Sequence, residues 1–410
     1  MTGETTRPPA DDAGVAVAVA VADEQRASAG AAGALPDEAF ASALAGLPGM
    51  GPSRLAAVLA VAAPAVVWDR AVRGHTWTEV EVRATFGPKP AEIVGRWRDA
   101  AASVDVADVW RQVVALGVGV ELLGSPSYPP ALAGDIEPPA VLFHLGAPRV
   151  IDGPRVAIVG TRRCSPTGAG LAFELGRDLA DAGIAVVSGL AAGIDGAAHR
   201  GALAAGGAPP IGVVGSGLDV VYPRAQAKLW GEVARAGVLL SEAPPGAAPA
   251  RWRFPARNRM IAALADLVIV VESHRRGGSL YTVDEADRRA VDVLAVPGSV
   301  RNPAAAGTND LLAEGRAPVC SVDDVLVALG LSRTSRRGAS GDRRAEPDAA
   351  DRRVLEAVGW QPATLDHLIL RTGLDLGHLA SALDRLCSAG WIARHGGWYE
   401  RVAARPGPGQ

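Results

Sequence analysis

Residues 155–195 constrain the fold of this chain more than any other stretch of the sequence. They begin with a short apolar run, residues 156–159, which ends at Gly160 and is typical of a strand buried on both faces. Leucines at helical spacing follow until Gly183, where the helical pattern stops. A second apolar run then occupies residues 184–187. The stretch therefore predicts a βαβ unit, the building block of a parallel sheet.

The two loops of this unit are predicted to open at the same edge of the sheet. Open α/β sheets bind ligands at the carboxyl ends of their strands, where helix N-termini and free backbone N–H groups favour anions. The first loop, which follows Gly160, also carries Arg162 and Arg163. Because a guanidinium group pairs well with phosphate oxygens, the sequence predicts a phosphate-binding loop here.

Strand and helix patterns continue to alternate as far as residue 329. This alternation predicts an α/β fold with a Rossmann-like, doubly wound parallel sheet. Its strands are predicted at residues 156–159, 184–187, 211–214, 238–240, 267–271 and 293–296. A further apolar run at 141–145 is flanked by prolines, and we expect it to add an edge strand.

Changes in composition divide the chain of 410 residues into five segments. We expect a disordered tail over residues 1–35, where the sequence is of low complexity, and a small helical domain over 36–115. The Rossmann-like domain with its Pro-rich connector covers 116–330, and a charged linker covers 331–349. The last segment, residues 350–403, is predicted to form a second small domain.

The helical domain contains a glycine-rich turn with helical patterns on both sides. Gly49 and Gly51 lie in this turn, which resembles a helix-hairpin-helix in a SAM-like domain, where backbone amides meet a DNA phosphate. The alternative is an ordinary helical hairpin with glycines at a tight turn. We expect the tryptophans of this domain to form its small core: Trp68, Trp77, Trp97 and Trp110.

The C-terminal segment resembles a winged helix. Leucines at helical spacing indicate three short helices, and a two-strand wing is predicted around Gly396 and Gly397. Such modules bind DNA or proteins. Three acidic residues, Asp366, Asp375 and Asp384, favour a role other than reading the major groove of DNA.

Net charge and cysteine usage restrict where the chain works and how it meets nucleic acid. The net charge is −3, so a surface for nucleic acid has to be local. Cys164, Cys320 and Cys387 are widely spaced and suggest neither a metal site nor a disulfide framework, which fits a reducing cytoplasm. The apolar run at 15–22 is too short to span a bilayer. We therefore expect a cytoplasmic protein with no membrane attachment.

Glycines and arginines dominate the loops that the predicted sheet brings to its carboxyl edge. This spread over several loops suits a polyanion better than one small phosphate. Phe254 and Trp252 lie within the arginine-rich segment, where they could stack a base. The alternative is that these aromatics are core and that some arginines pair with Glu242, Asp266 or Glu272. The edge residues are Gly160, Thr161, Arg162, Arg163, Ser188, Gly189, Asp195, Gly215, Gly217, Arg224, Arg251, Arg253, Arg257, Arg259, Arg275, Arg276, Gly277, Gly278 and Ser279.

Two classes of nucleotide enzyme fit the loops poorly. A dinucleotide oxidoreductase needs Gly-x-Gly-x-x-Gly after the first strand, whereas this turn carries two arginines and Pro166. The second strand also ends at Ser188 and Gly189 instead of an acid for a ribose. A P-loop ATPase is excluded because its Gly-x-x-x-x-Gly-Lys-Ser/Thr motif is absent from the sequence.

A hydrolase and a protein scaffold both remain open as functions. A nucleotide or nucleoside-monophosphate hydrolase of the phosphoribohydrolase type would use the Gly-Gly loop at 276–282 with Glu285, although the second Gly-Thr of that pattern is missing. A pure scaffold would hold dimers and bind proteins through its ends. Asp195 and His199 lie on one helix face but form no metal site; we expect Asp195 to cap the helix and His199 to be packed.

Six motifs in fixed order resemble the DNA-processing protein A (DprA/Smf) family. The resemblance covers about residues 117–329, and the flanking helix-hairpin-helix-like and winged-helix-like ends also look like accessories of this family. The chain departs from the family pattern at Ala243, where an aromatic usually stands, and at Gly277 within Arg-Gly-Gly-Ser. The motifs read G-T-R-R-C-S-P-T-G, V-V-S-G-L-A-A-G-I-D, G-S-G-L-D-V-V-Y-P, L-L-S-E-A-P-P-G, F-P-A-R-N-R and A-V-P-G-S.

The resemblance implies a protein that binds single-stranded DNA without hydrolysing it. It also implies a homodimer that loads the RecA recombinase onto incoming strands in natural transformation and homologous recombination, with no cofactor, metal or catalytic residue. Dimer and RecA contacts would lie near residues 309–312. The residues predicted to bind DNA are Gly160, Arg162, Arg163, Ser188, Gly189, Gly215, Gly217, Arg224, Arg257 and Arg259.

Overall fold

The computed structural model describes residues 34–331, 346–359 and 362–402. The tail predicted over 1–35 and the linker predicted over 331–349 fall almost entirely outside the described residues. The chain divides into two units, Met1–Arg333 and Thr334–Gln410.

In the first unit, the described residues begin with six helices. Three of them, α2, α3 and α5, begin at a proline, whose missing N–H costs nothing in the first turn. Trp68, Trp77, Trp97 and Trp110 are all buried, which confirms the expected core. The helices are α1 (Asp37–Ala45), α2 (Pro52–Val61), α3 (Pro64–Val72), α4 (Val80–Phe86), α5 (Pro90–Ala101) and α6 (Val106–Ala115).

The rest of this unit alternates strands and helices. The strands are β1 (Gly119–Leu122), β2 (Val141–Gly146), β3 (Arg155–Val159), β4 (Ala185–Ser188), β5 (Ile211–Val213), β6 (Val238–Ser241), β7 (Leu267–Val270), β8 (Asp292–Ala295) and β9 (Ala317–Pro318). The helices are α7 (Pro130–Ala133), α8 (Pro166–Asp181), α9 (Ile194–Ala205), α10 (Ala227–Ala236), α11 (Arg253–Leu264), α12 (Leu280–Arg288), α13 (Ala306–Ala313) and α14 (Val322–Ala328).

Within the described residues these strands form one sheet in the order β1-β2-β6-β5-β4-β3-β7-β8-β9. The seven strands from β6 to β9 in this order run parallel, and β1 and β2 are antiparallel additions. The predicted α/β class and all six predicted parallel strands are confirmed. The run at 141–145 does form a strand, but it is not an edge, because β1 pairs with its outer side from Gly119↔His144 to Leu122↔Val141.

Helices cover both faces of the sheet. The apolar faces of α8, α9 and α14 pack on one side, and those of α11 and α12 pack on the other. The six N-terminal helices share a hydrophobic cluster with β1, β2 and α10, in which Phe143 and Trp230 are buried. The helical segment therefore packs directly against one end of the sheet.

The second unit is a winged helix, as predicted. Leu379, Leu383 and Leu386 of α17 pack in its core with Tyr399 of the wing. The wing turns at residues 396–397, where both glycines have positive φ, of 53° and 90°. The elements are α15 (Ala349–Val358), β10 (Ala363–Thr364), α16 (Leu365–Thr372), α17 (Leu376–Ser388), β11 (Ile392–His395) and β12 (Trp398–Arg401).

Among the described residues, no single helix has both the length and the apolar composition to cross a membrane. Only the α2–α3 pair, bent by 106°, matches both criteria when its helices are taken together.

Candidate nucleic-acid interface

The sheet reverses its winding between β3 and β7. From β3 the chain proceeds through β4 and β5 to β6 in one direction, and from β7 it proceeds through β8 to β9 in the other. Such a switch point leaves a crevice outside the carboxyl ends of the two strands. In this chain a cleft of about 520 Å³ lies there, lined by the loops after β3 and β7 and by the start of α11.

The N-terminus of α8, the first helix of the βαβ unit, is occupied by the chain's own carboxylate. The amide of Ser165 donates to one oxygen of buried Glu272 at 2.8 Å, and its hydroxyl donates to the other at 2.6 Å. Asn302 donates to the same carboxylate at 3.0 Å. A Cβ at Gly168 would lie 2.5 Å from the carboxyl carbon. A dinucleotide pyrophosphate would need this position, so the structure agrees with the exclusion of an oxidoreductase.

Two exposed arginines, Arg162 and Arg163, line the cleft. Arg162 and Arg163 follow β3, and Arg224 lies in the loop after β5. The guanidinium carbon of Arg162 is 5.0 Å from the centroid of the Phe254 ring, and that ring is 5.5 Å from the ring of Tyr222. Within the described part of the chain, none of the three arginines forms an ion pair. Their charge is therefore available to a ligand.

Arg257 lies under the cleft instead of projecting from it. It is 6% exposed, and it donates to the carbonyl oxygen of Val213 at the end of β5. Burial lowers the pKa of Arg257 to about 10, against the opposing effect of nearby Asp195. Burial likewise raises the pKa of the Asp195 carboxyl, with Arg257 acting in the opposite direction. The two residues form a buried pair of opposite charge below the loop that follows β4.

Arg259 is also buried, and it has protein partners. Its guanidinium lies 2.5 Å from the carboxylate of Glu242 and donates to the carbonyl oxygen of Glu137 at 2.7 Å. The sequence left open whether arginines of this edge pair with Glu242. Arg259 forms this pair. Arg259 thereby ties the connector before β2 to the end of β6.

The predicted glycines and Ser188 form the floor of this edge. Ser188 is fully buried and donates its hydroxyl proton to the carbonyl of Ile158 at 2.6 Å. A Cβ at Gly160 would lie 2.5 Å from the side chain of Ile194. A Cβ at Gly189 would overlap the guanidinium of Arg257. Gly215 and Gly217 are buried in the loop after β5. No larger residue fits at Gly160 or Gly189 without moving its neighbours.

The expectations for Asp195 and His199 are met in part. Asp195 accepts the amide proton of Gly189 at 3.2 Å and so ties the β4 loop to the start of α9, although its carboxylate does not cap that helix. His199 is fully buried. In the described residues no group of three or more His, Cys, Asp or Glu side chains is arranged to hold a metal ion.

Trp252, for which base stacking and a core position were the predicted alternatives, is 52% exposed, with the guanidinium of Arg253 at 5.1 Å from its ring. Two other features of the site were not predicted from the sequence. Tyr281, which is 56% exposed, lines the cleft. Glu272 appeared only as a possible arginine partner. Its role depends on a contact between residues 107 positions apart, which no local pattern encodes.

Two family models match the chain. The DNA recombination-mediator protein A model matches residues 120–330, just over half of the chain. The DprA winged helix domain model matches residues 339–397.

Curated relatives and a solved structure agree with these matches. The DNA processing protein DprA of Streptococcus pneumoniae is 42% identical over 199 residues, which cover 48% of this chain and 70% of that protein. Protein Smf of Escherichia coli is 34% identical over 281 residues, which cover 67% of this chain and 75% of that protein. The X-ray structure of S. pneumoniae DprA matches with a TM-score of 0.59 and 32% identity, covering 72% of this chain and 98% of that chain.

Proposed function

Since this chain belongs to the DNA recombination-mediator protein A (DprA) family, we propose that it binds single-stranded DNA along the carboxyl edge of its sheet and acts on that DNA without hydrolysing it. One observation carries the proposal: exposed, unpaired arginines and an aromatic ring surround a cleft at the switch point of the sheet. Guanidinium groups bind phosphates of any sequence, and aromatic rings stack unpaired bases.

The arginines divide between two roles in this proposal. Arg162, Arg163 and Arg224 are exposed, and they neutralise successive phosphates. The guanidinium groups of Arg257 and Arg259 donate hydrogen bonds to protein oxygens, so they hold the loops that shape the edge. The floor residues let the strand approach the sheet closely; they are Gly160, which is half-buried, and the buried residues Ser188, Gly189, Gly215 and Gly217.

We further propose that the protein works as a homodimer that delivers the strand to the RecA recombinase during natural transformation and homologous recombination. Family membership supports this step. The predicted contact region, near residues 309–312, lies within α13. Asn309 already exchanges hydrogen bonds there with the backbone of Gly298, at 3.1 and 3.0 Å, which gives the segment a fixed shape.

A phosphoribohydrolase-type activity is not favoured. That activity needs Glu285 to reach a substrate in the cleft. The Glu285 carboxylate instead contacts Arg289 and, at 3.2 Å, Arg288 of its own helix, and Glu285 is not among the residues that line the cleft.

Fluorescence anisotropy of labelled oligo-dT across a salt series tests the proposal. Arg162→Ala removes one exposed phosphate contact, and Arg149→Ala is the matched control. Arg149 is an exposed arginine at the opposite, amino edge, in the turn after β2. For single strands the slope of log K against log salt is about −0.7 per neutralised phosphate. We expect Arg162→Ala to weaken binding and to make the slope shallower by about 0.7.

The control should match the unmodified protein in both affinity and slope, and duplex DNA should compete poorly. Equal binding by the Arg162→Ala protein, or an equal loss in the Arg149→Ala protein, would contradict the proposed site. Release of base from a nucleoside monophosphate, lost on Glu285→Gln, would favour the hydrolase instead.

A further inference from the structure

A second cleft, of about 740 Å³, lies between the helical segment and the same edge of the sheet. One wall is the glycine-rich turn between α1 and α2, and the other is the loop at 244–247 with the start of α11. Arg54 and Arg253 are the charged residues that line it, and no carboxylate side chain is among the described residues on its walls. The cleft therefore favours an anionic ligand.

Three consecutive residues join this cleft to the cleft at the switch point. Trp252 and Arg253 line the second cleft, and Phe254 lines the first. Trp252 is 52% exposed, and its ring lies near the opposite wall: a Cβ at Gly51 would lie 4.0 Å from it. An exposed tryptophan with a guanidinium at 5.1 Å from its ring is a platform on which an unpaired base can stack.

The glycine-rich turn is held in place by side chains of the helical segment. Arg54 donates to the carbonyl oxygens of Thr85, at 2.9 Å, and Gly49, at 2.5 Å. Trp97 donates from its ring nitrogen to the carbonyl of Pro48 at 3.1 Å. These bonds fix the turn before any ligand arrives, which lowers the entropic cost of binding.

The ligand side of the turn keeps its polar groups free. The amides of Gly49 and Gly51 donate to no protein acceptor within the described residues. Arg96 is exposed beside the turn, outside the walls of the cleft, and a Cβ at Gly49 would lie 3.8 Å from its guanidinium and 3.6 Å from that of Arg54. No ion pair engages Arg96 in the parts of the chain that the structure describes. Free amides beside free guanidinium groups match the oxygens of a phosphodiester.

We propose that a single strand bound at the switch-point cleft continues past Trp252 into this second cleft, so that the helical segment forms the second half of one DNA track. This inference rests on the proposed function and extends it from one cleft to two. A base stacks on Trp252, and phosphates contact Arg96, Arg253 and the turn amides. The ligand is a single strand because stacking on Trp252 requires an unpaired base.

Strand length separates the two halves of the track. Oligo-dT of about 6 nucleotides fills the switch-point cleft alone, and oligo-dT of about 16 nucleotides reaches both. Trp252→Ala should weaken binding of the long strand about tenfold and leave the short strand unchanged. Arg96→Ala should make the salt slope shallower by about 0.7 for the long strand only. Trp252→Phe, which keeps a stacking surface, should restore most of the affinity.

Arg98→Ala is the matched control for Arg96. It lies two residues further along α5, with its side chain against Gly74 and paired with Asp99 at 2.9 Å, so it faces away from the turn. The melting temperature of each variant shows that the fold is retained. Photocrosslinking of bromodeoxyuridine-substituted long strands should attach the DNA to Trp252. A Trp252 that only supports the fold would not form this crosslink.

Each outcome has a defined meaning. If Arg162→Ala weakens both strands whereas Trp252→Ala and Arg96→Ala weaken neither, the extended track is wrong and the proposed function stands. Equal losses for both strand lengths in the Trp252→Ala protein also overturn the second half of the track. An equal loss of affinity in the Arg98→Ala protein also overturns the second half of the track, because the loss would then come from removing any positive charge in this region. If Arg162→Ala weakens neither strand, the proposed function fails and this inference fails with it.

Discussion

Glu272 gives the sharpest test of how the carboxyl edge of the sheet is built. Its carboxylate is 6% exposed and accepts two hydrogen bonds from Ser165 at the start of α8 and one from Asn302. Glu272→Gln keeps the shape and one acceptor oxygen, but it removes the charge. It also presents an N–H₂ group to a site that offers donors. One of the groups now bound to Glu272 therefore loses its partner.

The expected cost follows from these contacts. A hydrogen bond to a charged group contributes about 1.5–3 kcal/mol and a neutral one about 1 kcal/mol. The favourable interaction of a carboxylate with a helix N-terminus adds about 0.3–1 kcal/mol. Relief from burying a charge offsets part of this loss. We expect Glu272→Gln to lower the free energy of unfolding by about 2 kcal/mol. With a urea slope of about 3 kcal/mol per molar, the unfolding midpoint falls by about 0.7 M.

Urea unfolding followed by tryptophan fluorescence measures this shift, with Glu314→Gln as the control because Glu314 is exposed after α13. A midpoint shift no larger than that of the control would refute the reasoning about Glu272. DNA binding provides a second readout. If phosphates contact the arginines and not the N-terminus of α8, Glu272→Gln leaves the affinity for oligo-dT unchanged. A clear gain in affinity would show that a phosphate competes with Glu272 for that position.

Two further predictions concern buried groups near the site. Gly189→Ala places a Cβ against the Arg257 guanidinium, so the melting temperature should fall by about 5 °C. The control, Gly278→Ala, has open space around its Cβ and should change the melting temperature little. Equal melting temperatures for the two variants would contradict this packing. Burial lowers the pKa of His199 to about 4 from 6.5, so its contribution to stability is complete above pH 6.5 and is lost as the pH falls to about 4. The difference in unfolding free energy between this protein and the His199→Gln variant should therefore decrease by about 3 kcal/mol over this pH range. Urea unfolding at a series of pH values measures this difference. A difference that does not change with pH would show that His199 is not held neutral.

The parallel core of the fold was predictable because its signals are local. Each strand is a short apolar run, most of these runs end in a glycine, serine or proline, and each helix pattern lies between two such runs. The ends of the predicted strands differ from the observed ends by no more than one residue. Ser165 also appears as the N-cap of α8, with its hydroxyl accepting from Gly168 at 3.0 Å. Local chemistry therefore decides where these elements begin and end.

The outer antiparallel strand, β1, could not be predicted in the same way. The strand β1 has only four residues, and Gly119 opens it. Its place is set by its partner, because a Cβ at Gly119 would overlap the buried ring of His144 in β2. The match between a missing side chain in one strand and a large one in its neighbour appears only when the two strands are paired.

The same distinction separates the arginines of the site. In the sequence, Arg162, Arg257 and Arg259 are alike, since each lies in a segment that the predicted sheet brings to its carboxyl edge. In the fold, Arg162 has only a ring beneath it, whereas Arg259 meets Glu242 and the carbonyl of Glu137, which lies 122 residues earlier. A guanidinium that already satisfies a buried carboxylate has little left to offer a phosphate, and separating such a buried pair costs about 3–5 kcal/mol. Long-range pairing therefore decides which arginines hold the edge together and which remain exposed.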